Sequence, residues 1–243
     1  MDTLIILHGW QSSREKWQKV KELLETQSLK VVVPDLPGFK LENQLGKSWN
    51  LNDYVEWLNN ISENSNSFPE PFFLLGHSFG GRIAIKFAVK YPEKLKGLIL
   101  VSAAGIKKEK TFRDKVLLKA IKLARKLGVQ EQASQTKGLW QIIRKVFYHY
   151  VLRQTDYLKA SPIQKEIMKN ALEEDLKPLL NSITTPTLIV WGAKDKMTLP
   201  KNAYLMKEKI KNSHLEIMDN IGHTPHLECP ETLTQKIRNF IQP

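Results

Sequence analysis

Apolar residues along this chain keep two rhythms. Short, largely apolar runs, Leu4-Ile5-Ile6-Leu7, Lys30-Val31-Val32-Val33, Phe72-Phe73-Leu74-Leu75, Leu98-Ile99-Leu100-Val101, Thr187-Leu188-Ile189-Val190-Trp191 and His214-Leu215-Glu216-Ile217-Met218, read as strands of a sheet covered on both faces. Between them apolar residues recur with a helical period. Leu51, Tyr54, Val55, Leu58 and Ile61 share one face. Arg14–Glu25, Gly81–Tyr91 (stopped near Pro92) and Pro230–Ile241 complete the set, the last opened by a proline suited to a first helical turn. This alternation predicts an α/β protein, with a mostly parallel central sheet flanked by helices.

Between residues 106 and 180 the alternation stops. Lys115–Leu127 carries Leu117, Ala120, Ile121, Ala124 and Leu127 on one stripe before Gly128. Leu139–Leu152 does the same with Ile143, Val146, Phe147 and Tyr150, and Glu166–Leu172 predicts a third helix. The expectation is an all-helical cap, residues 106–180, inserted between two strands of a core made from residues 1–105 and 181–243. In open α/β sheets the site lies at the carboxyl ends of the strands. The cap would sit over them, its inner apolar residues lining a substrate pocket.

Charge sharpens this division. The 243 residues carry a net charge of +12. Residues 106–180 hold 17 Lys and Arg against 8 Asp and Glu, and the remainder 20 against 17. The basic segment has no nucleic-acid motif, and its lysines fall on helices whose other face is apolar, so a solvated helical face is the first reading. Attraction to an anionic substrate or a membrane surface is the lesser one. Cys229 is the one cysteine, which excludes a disulfide framework and a cysteine-rich zinc site. Neither a signal peptide nor a membrane-length apolar run is visible, so the expected location is the cytoplasm, without integral membrane association.

The chemistry concentrates in Gly76-His77-Ser78-Phe79-Gly80-Gly81, which joins an apolar strand to a helix. A serine on so sharp a turn sits in a strained conformation, and glycines two residues away on either side remove the resulting collisions. A hydroxyl needs a base within hydrogen-bond reach and a third group to orient that base. His223, in Asn220-Ile221-Gly222-His223-Thr224-Pro225-His226 after the last strand, is the expected base, with His226 the rival and more structural in character. Asp195, on the loop after the penultimate strand, is the expected orienting acid. Asp219 is its rival, but lies too near His223 in sequence to reach behind the ring. Two backbone N–H groups should face a developing oxyanion, that of Phe79 and that of Trp10 in His8-Gly9-Trp10.

These stretches, with Asp35-Leu36-Pro37-Gly38-Phe39, Trp191-Gly192-Ala193-Lys194-Asp195 and Gly222–Pro230, occur in the order and at the spacings of the α/β-hydrolase family, and the chain resembles its capped members. The resemblance implies a serine esterase with Ser78 as nucleophile, His223 as general base and acid, Asp195 as orienting acid, and oxyanion donors from Trp10 and Phe79. It implies no cofactor and no metal, and a small-molecule ester or acyl substrate. The same residues would serve a C–C bond hydrolase, a lactonase, an aminopeptidase, a perhydrolase or an acyl transferase; a ligand-binding receptor is the reading outside enzymes. Two features depart from the family. The first strand begins at residue 2, where many relatives have a preceding hairpin, and Lys40-Leu41-Glu42 replaces a Gly-x-Ser continuation after Phe39. The oligomeric state is left open.

Overall fold

A computed structural model describes residues 1–40, 43–64, 70–107 and 160–242 of the chain. All of these except Ala160 belong to one compact unit, Met1–Lys107 with Ser161–Pro243. Along it run β1 (Asp2–Leu7), α1 (Gln18–Leu24), β2 (Leu29–Val32), α2 (Leu51–Asn64), β3 (Phe72–His77), α3 (Phe79–Lys90) and β4 (Leu95–Val101). After residues 108–159 follow α4 (Pro162–Glu173), β5 (Thr187–Gly192), α5 (Pro200–Lys209), β6 (Ser213–Met218), α6 (Pro225–Glu228) and α7 (Pro230–Ile241). The six strands form one sheet in the order β2-β1-β3-β4-β5-β6, every neighbouring pair parallel. The expected α/β architecture is the one observed.

Alternation along the strands explains the two cores. Ile5, Leu7, Leu74, Leu98, Leu100, Ile189 and Trp191 face one layer, where α2, α3 and α5 pack. Leu4, Ile6, Phe73, Leu75, Ile99, Val101, Leu188 and Val190 face the other, against Val20, Leu24, Leu233 and Ile237 of α1 and α7. Each fully buried aliphatic side chain contributes about 1.5–3 kcal/mol, which holds both layers to the sheet. The strand order reverses between β1 and β3, since the chain leaves β1 first to one side and then to the other. That reversal opens a crevice at the carboxyl ends of these two strands.

The helices expected at 115–127 and 139–152 lie outside the described residues. The third, expected at Glu166–Leu172, is the interior of α4. Ser161 starts it with a reciprocal capping box: the Gln164 N–H donates to Ser161 Oγ at 3.2 Å, and the Ser161 N–H to Gln164 Oε1 at 2.9 Å. Its far end is held by Arg82 of α3, whose buried guanidinium donates to the carbonyls of Ala171 (2.6 Å) and Glu174 (3.1 Å). Burial lowers the Arg82 pKa to about 10, so it stays a cation against the negative end of the helix dipole. One helix had no periodic warning: α5 buries only Ala203 and Met206, and its other positions are half-buried or exposed.

Candidate active site

Gly76 and Gly80 make the turn at Ser78 sterically feasible. A Cβ on Gly80 would stand 2.2 Å from the Leu7 carbonyl oxygen, and one on Gly76 2.6 Å from the Gly80 carbonyl oxygen. Ser78 itself has φ 50° and ψ −112°, a conformation that costs about 1–3 kcal/mol in an ordinary residue. The neighbouring chain holds it there. The Ser78 N–H donates to the Val101 carbonyl, and its own carbonyl accepts from the N–H groups of Gly81 and Ala104. The hydroxyl is thereby carried at the carboxyl end of β3, beside the crevice.

Three of the residues singled out by sequence meet there. Ser78 Oγ lies 3.0 Å from His223 Nε2, and His223 Nδ1 lies 2.8 Å from Asp195 Oδ2. A carboxylate accepts only, so Nδ1 carries the proton and the Nε2 lone pair faces the serine hydroxyl. Asp195 is buried, which by itself would raise its pKa. Hydrogen bonds from His223, the Thr198 hydroxyl and the Met197 N–H outweigh burial and hold it below the usual range, as a carboxylate. Its Oδ1 accepts from the N–H groups of Met197 (2.8 Å) and Thr198 (3.0 Å), and its Oδ2 from Thr198 Oγ1 (2.8 Å). The rival Asp219 is exposed at the surface.

The two expected oxyanion donors border the same serine. Phe79 opens α3 directly after it, and Gly9, which precedes Trp10, lies so close that a Cβ there would be 3.3 Å from Ser78 Cβ. Among the described residues neither the Trp10 nor the Phe79 backbone N–H has an acceptor. The Trp10 ring packs edge-on to Phe39 and Phe79, at centroid distances of 5.0 and 5.8 Å. His8 pins this loop to the next: its Nδ1–H donates to the Gly9 carbonyl, and its Nε2 accepts the Leu36 N–H at 3.0 Å. Lys40, one of the departures from the family pattern, pairs with Asp35 at 2.9 Å and Glu15 at 2.6 Å, which braces that loop with ions instead of a Gly-x-Ser turn.

Three supporting residues were not assigned these roles from the sequence. Thr198 steadies Asp195; its signal was an aspartate whose side chain can close on the N–H groups two and three residues ahead. His77, beside the nucleophile in sequence, donates its Nε2–H to the His223 carbonyl at 2.9 Å. Glu228 bonds to the loop on both sides of His223. Neither of the last two had a local signature.

His226 is brought to Trp17 and not to Ser78. The two rings stack in parallel, centroids 4.2 Å apart. Burial first, then the neighbouring His223 and Lys16, pushes its pKa down to about 3. Burial likewise holds His77 well below, and His8 below, the ordinary value of 6.5. All three take up a proton less readily in the folded protein than in the unfolded chain, where each titrates near pH 6.5. The unfolded state therefore binds more protons below that pH. Stability falls on acidification by about 1.4 kcal/mol per pH unit for each such histidine, until the buried ring itself titrates. Urea denaturation at about pH 7.5 and about pH 5.5 is expected to reveal this loss, and His226→Phe, which keeps a ring on Trp17, to lessen the slope by about one proton. Equal slopes in the two proteins would mean that His226 is charged in the fold.

Comparison with known proteins agrees with the fold. A family model described as alpha/beta hydrolase fold matches residues 2–230. "Lipase 3" of Moraxella sp. is 23% identical over 98% of this chain and 77% of its own length. A pimeloyl-[acyl-carrier protein] methyl ester esterase of Nitrosospira multiformis is 24% identical over 98% of this chain and 93% of its own. Among solved structures, an esterase from Exiguobacterium antarcticum superposes with a TM-score of 0.75 at 21% identity, covering 100% of this chain and 92% of that one. Among the described residues no helix is long and apolar enough to cross a membrane.

Proposed function

This chain belongs to the alpha/beta hydrolase family, and from that premise we propose that it hydrolyses carboxylic esters through an acyl-enzyme formed on Ser78. The observation that carries the reading is the chain of hydrogen bonds from Ser78 through His223 to Asp195. The names of the relatives, a lipase and a methyl ester esterase, support esters over other acyl compounds.

Ser78 Oγ attacks the ester carbonyl as His223 Nε2 takes its proton, forming the C–O bond of a tetrahedral adduct. Asp195 holds the imidazole in the Nδ1–H form and stabilises the imidazolium. The adduct oxygen draws on the N–H groups of Trp10 and Phe79, each worth about 3 kcal/mol to the transition state. Collapse breaks the bond to the alcohol, which leaves with the proton from Nε2. Water then attacks the acyl-serine with His223 again as base, the acid departs, and Ser78 recovers its proton. No cofactor or metal takes part. Residues 106–180 serve as the cap that selects the substrate, and the lone cysteine, Cys229, suits a reducing compartment such as the cytoplasm.

The test is a panel of p-nitrophenyl and methyl esters of graded acyl length, with a fluorophosphonate probe in parallel. Turnover of at least one ester, blocked by stoichiometric labelling at Ser78, is the expected result. An unlabelled Ser78 together with no ester turned over would remove the proposal.

A further inference from the structure

We propose that Glu228 is a positioning residue for His223, its carboxylate gripping the backbone on both sides of the imidazole. Glu228 Oε2 accepts the Gly222 N–H at 2.7 Å. Its Oε1 accepts the Thr224 N–H at 3.0 Å and the Thr224 hydroxyl at 2.8 Å. The residue between these anchors is His223, whose carbonyl is held from a third direction by His77 Nε2–H. The main-chain groups around the base are thus tied to two side chains, one behind the loop and one beyond it.

Helix capping alone does not account for this arrangement. α6 has four residues, and a carboxylate serving only its first turn would stop at Thr224, which precedes Pro225. Glu228 continues across the loop to Gly222, on the far side of His223. Gly222 leaves room for it: a Cβ there would stand 3.1 and 3.2 Å from the two carboxylate oxygens. The chain between β6 and α6 lies outside the sheet ladder, so without the clamp His223 would keep only the His77 bond to its carbonyl, the Lys194 N–H bond to the Ile221 carbonyl and its own two ring hydrogen bonds. A general base works over a narrow range, and a displacement of about 1 Å costs on the order of 100-fold in rate. The effect on turnover rests on the proposed role of His223 as base; the effect on ring position does not.

Glu228→Gln, Glu228→Ala and Thr224→Val are therefore to be compared with the wild type and with Glu231→Gln, which removes an equal charge from an exposed position on α7. Two properties are read: kcat and KM on the best ester of the panel, and the far-downfield proton resonance of His223 Nδ1–H shared with Asp195. Glutamine keeps one acceptor and alanine none, so kcat is expected to fall about 10-fold and about 100-fold, with KM within about twofold. The resonance broadens in the same order, while Glu231→Gln changes neither property. Thr224→Val, which keeps the Thr224 N–H, is expected to lower kcat a few-fold and shift the resonance; it decides the matter if the Glu228 variants do not fold. Unchanged resonance and kcat per folded molecule, even with a lowered melting temperature, would reduce Glu228 to a structural brace and overturn the proposal. If the wild type turns over no ester, the proposed function fails on its own, and the response of the resonance to Glu228→Gln still decides the clamp.

Discussion

Alanine in place of Ser78 is expected to lower kcat on a p-nitrophenyl short-chain ester by about a million-fold. Only Oγ is lost. The Cβ that makes φ 50° unfavourable remains, so backbone strain is unchanged, and the bonds of the Ser78 main chain to Val101, Gly81 and Ala104 need no side chain. The variant should accordingly fold with a stability within about 1 kcal/mol of wild type. A residue of catalysis about 1,000-fold or more above water is expected to survive, because oxyanion donors and substrate binding act without the nucleophile. Steady-state rates with an active-site titration of the wild type, plus thermal denaturation of both proteins, check the pair of statements. Undiminished turnover in folded Ser78→Ala would exclude Ser78 as nucleophile.

Asp195→Asn has the second largest expected effect, about 10,000-fold in kcat, and the geometry gives the reason. The position of Oδ1 faces two main-chain donors, the N–H groups of Met197 and Thr198. The asparagine carbonyl must take that position, which turns the amide NH2 toward His223 Nδ1. The imidazole then has to accept at Nδ1 and carry its proton on Nε2, where it meets the Ser78 hydroxyl with a donor instead of a lone pair. The nucleophile keeps its place and loses its base. Fluorophosphonate labelling of Ser78 should slow in parallel with turnover, since both need the proton removed. A variant that retains more than about a tenth of wild-type kcat would show that the carboxylate is not what sets the tautomer.

The strands and most helices were legible because their signals are local. Short, largely apolar runs marked all six strands, and Pro230 to Ile241 marked α7 at both ends. The helix α5 was missed because it touches the core through few residues, and a largely polar helix has no period to read. The turn at Ser78 was legible from the glycines two residues to either side, of which Gly76 avoids a collision within the turn and Gly80 one with Leu7 at the end of β1. His223 and Asp195 were reached by asking which histidine and which acid leave the carboxyl ends of strands. Thr198, His77 and Glu228 did not emerge in their supporting roles, since a hydrogen bond to a main-chain group places no demand on neighbouring sequence.

By itself, then, the sequence determined the strands, most of the helices and the sharp turn that lifts Ser78 from β3, whose signals are local, and their alternation implied the parallel sheet. What only the tertiary structure decided is how the turn is equipped. The strand reversal brings His8-Gly9 against Ser78, and Asp195 and His223 converge from loops after β5 and β6. His77 reaches His223 across 146 residues of chain. Burial then sets His226 apart, because a desolvated ring stacked on Trp17 is held neutral and away from the serine, while His223 is left with a carboxylate on one nitrogen and a hydroxyl on the other. Such contacts join residues that are distant along the chain, and they exist only once the sheet has formed.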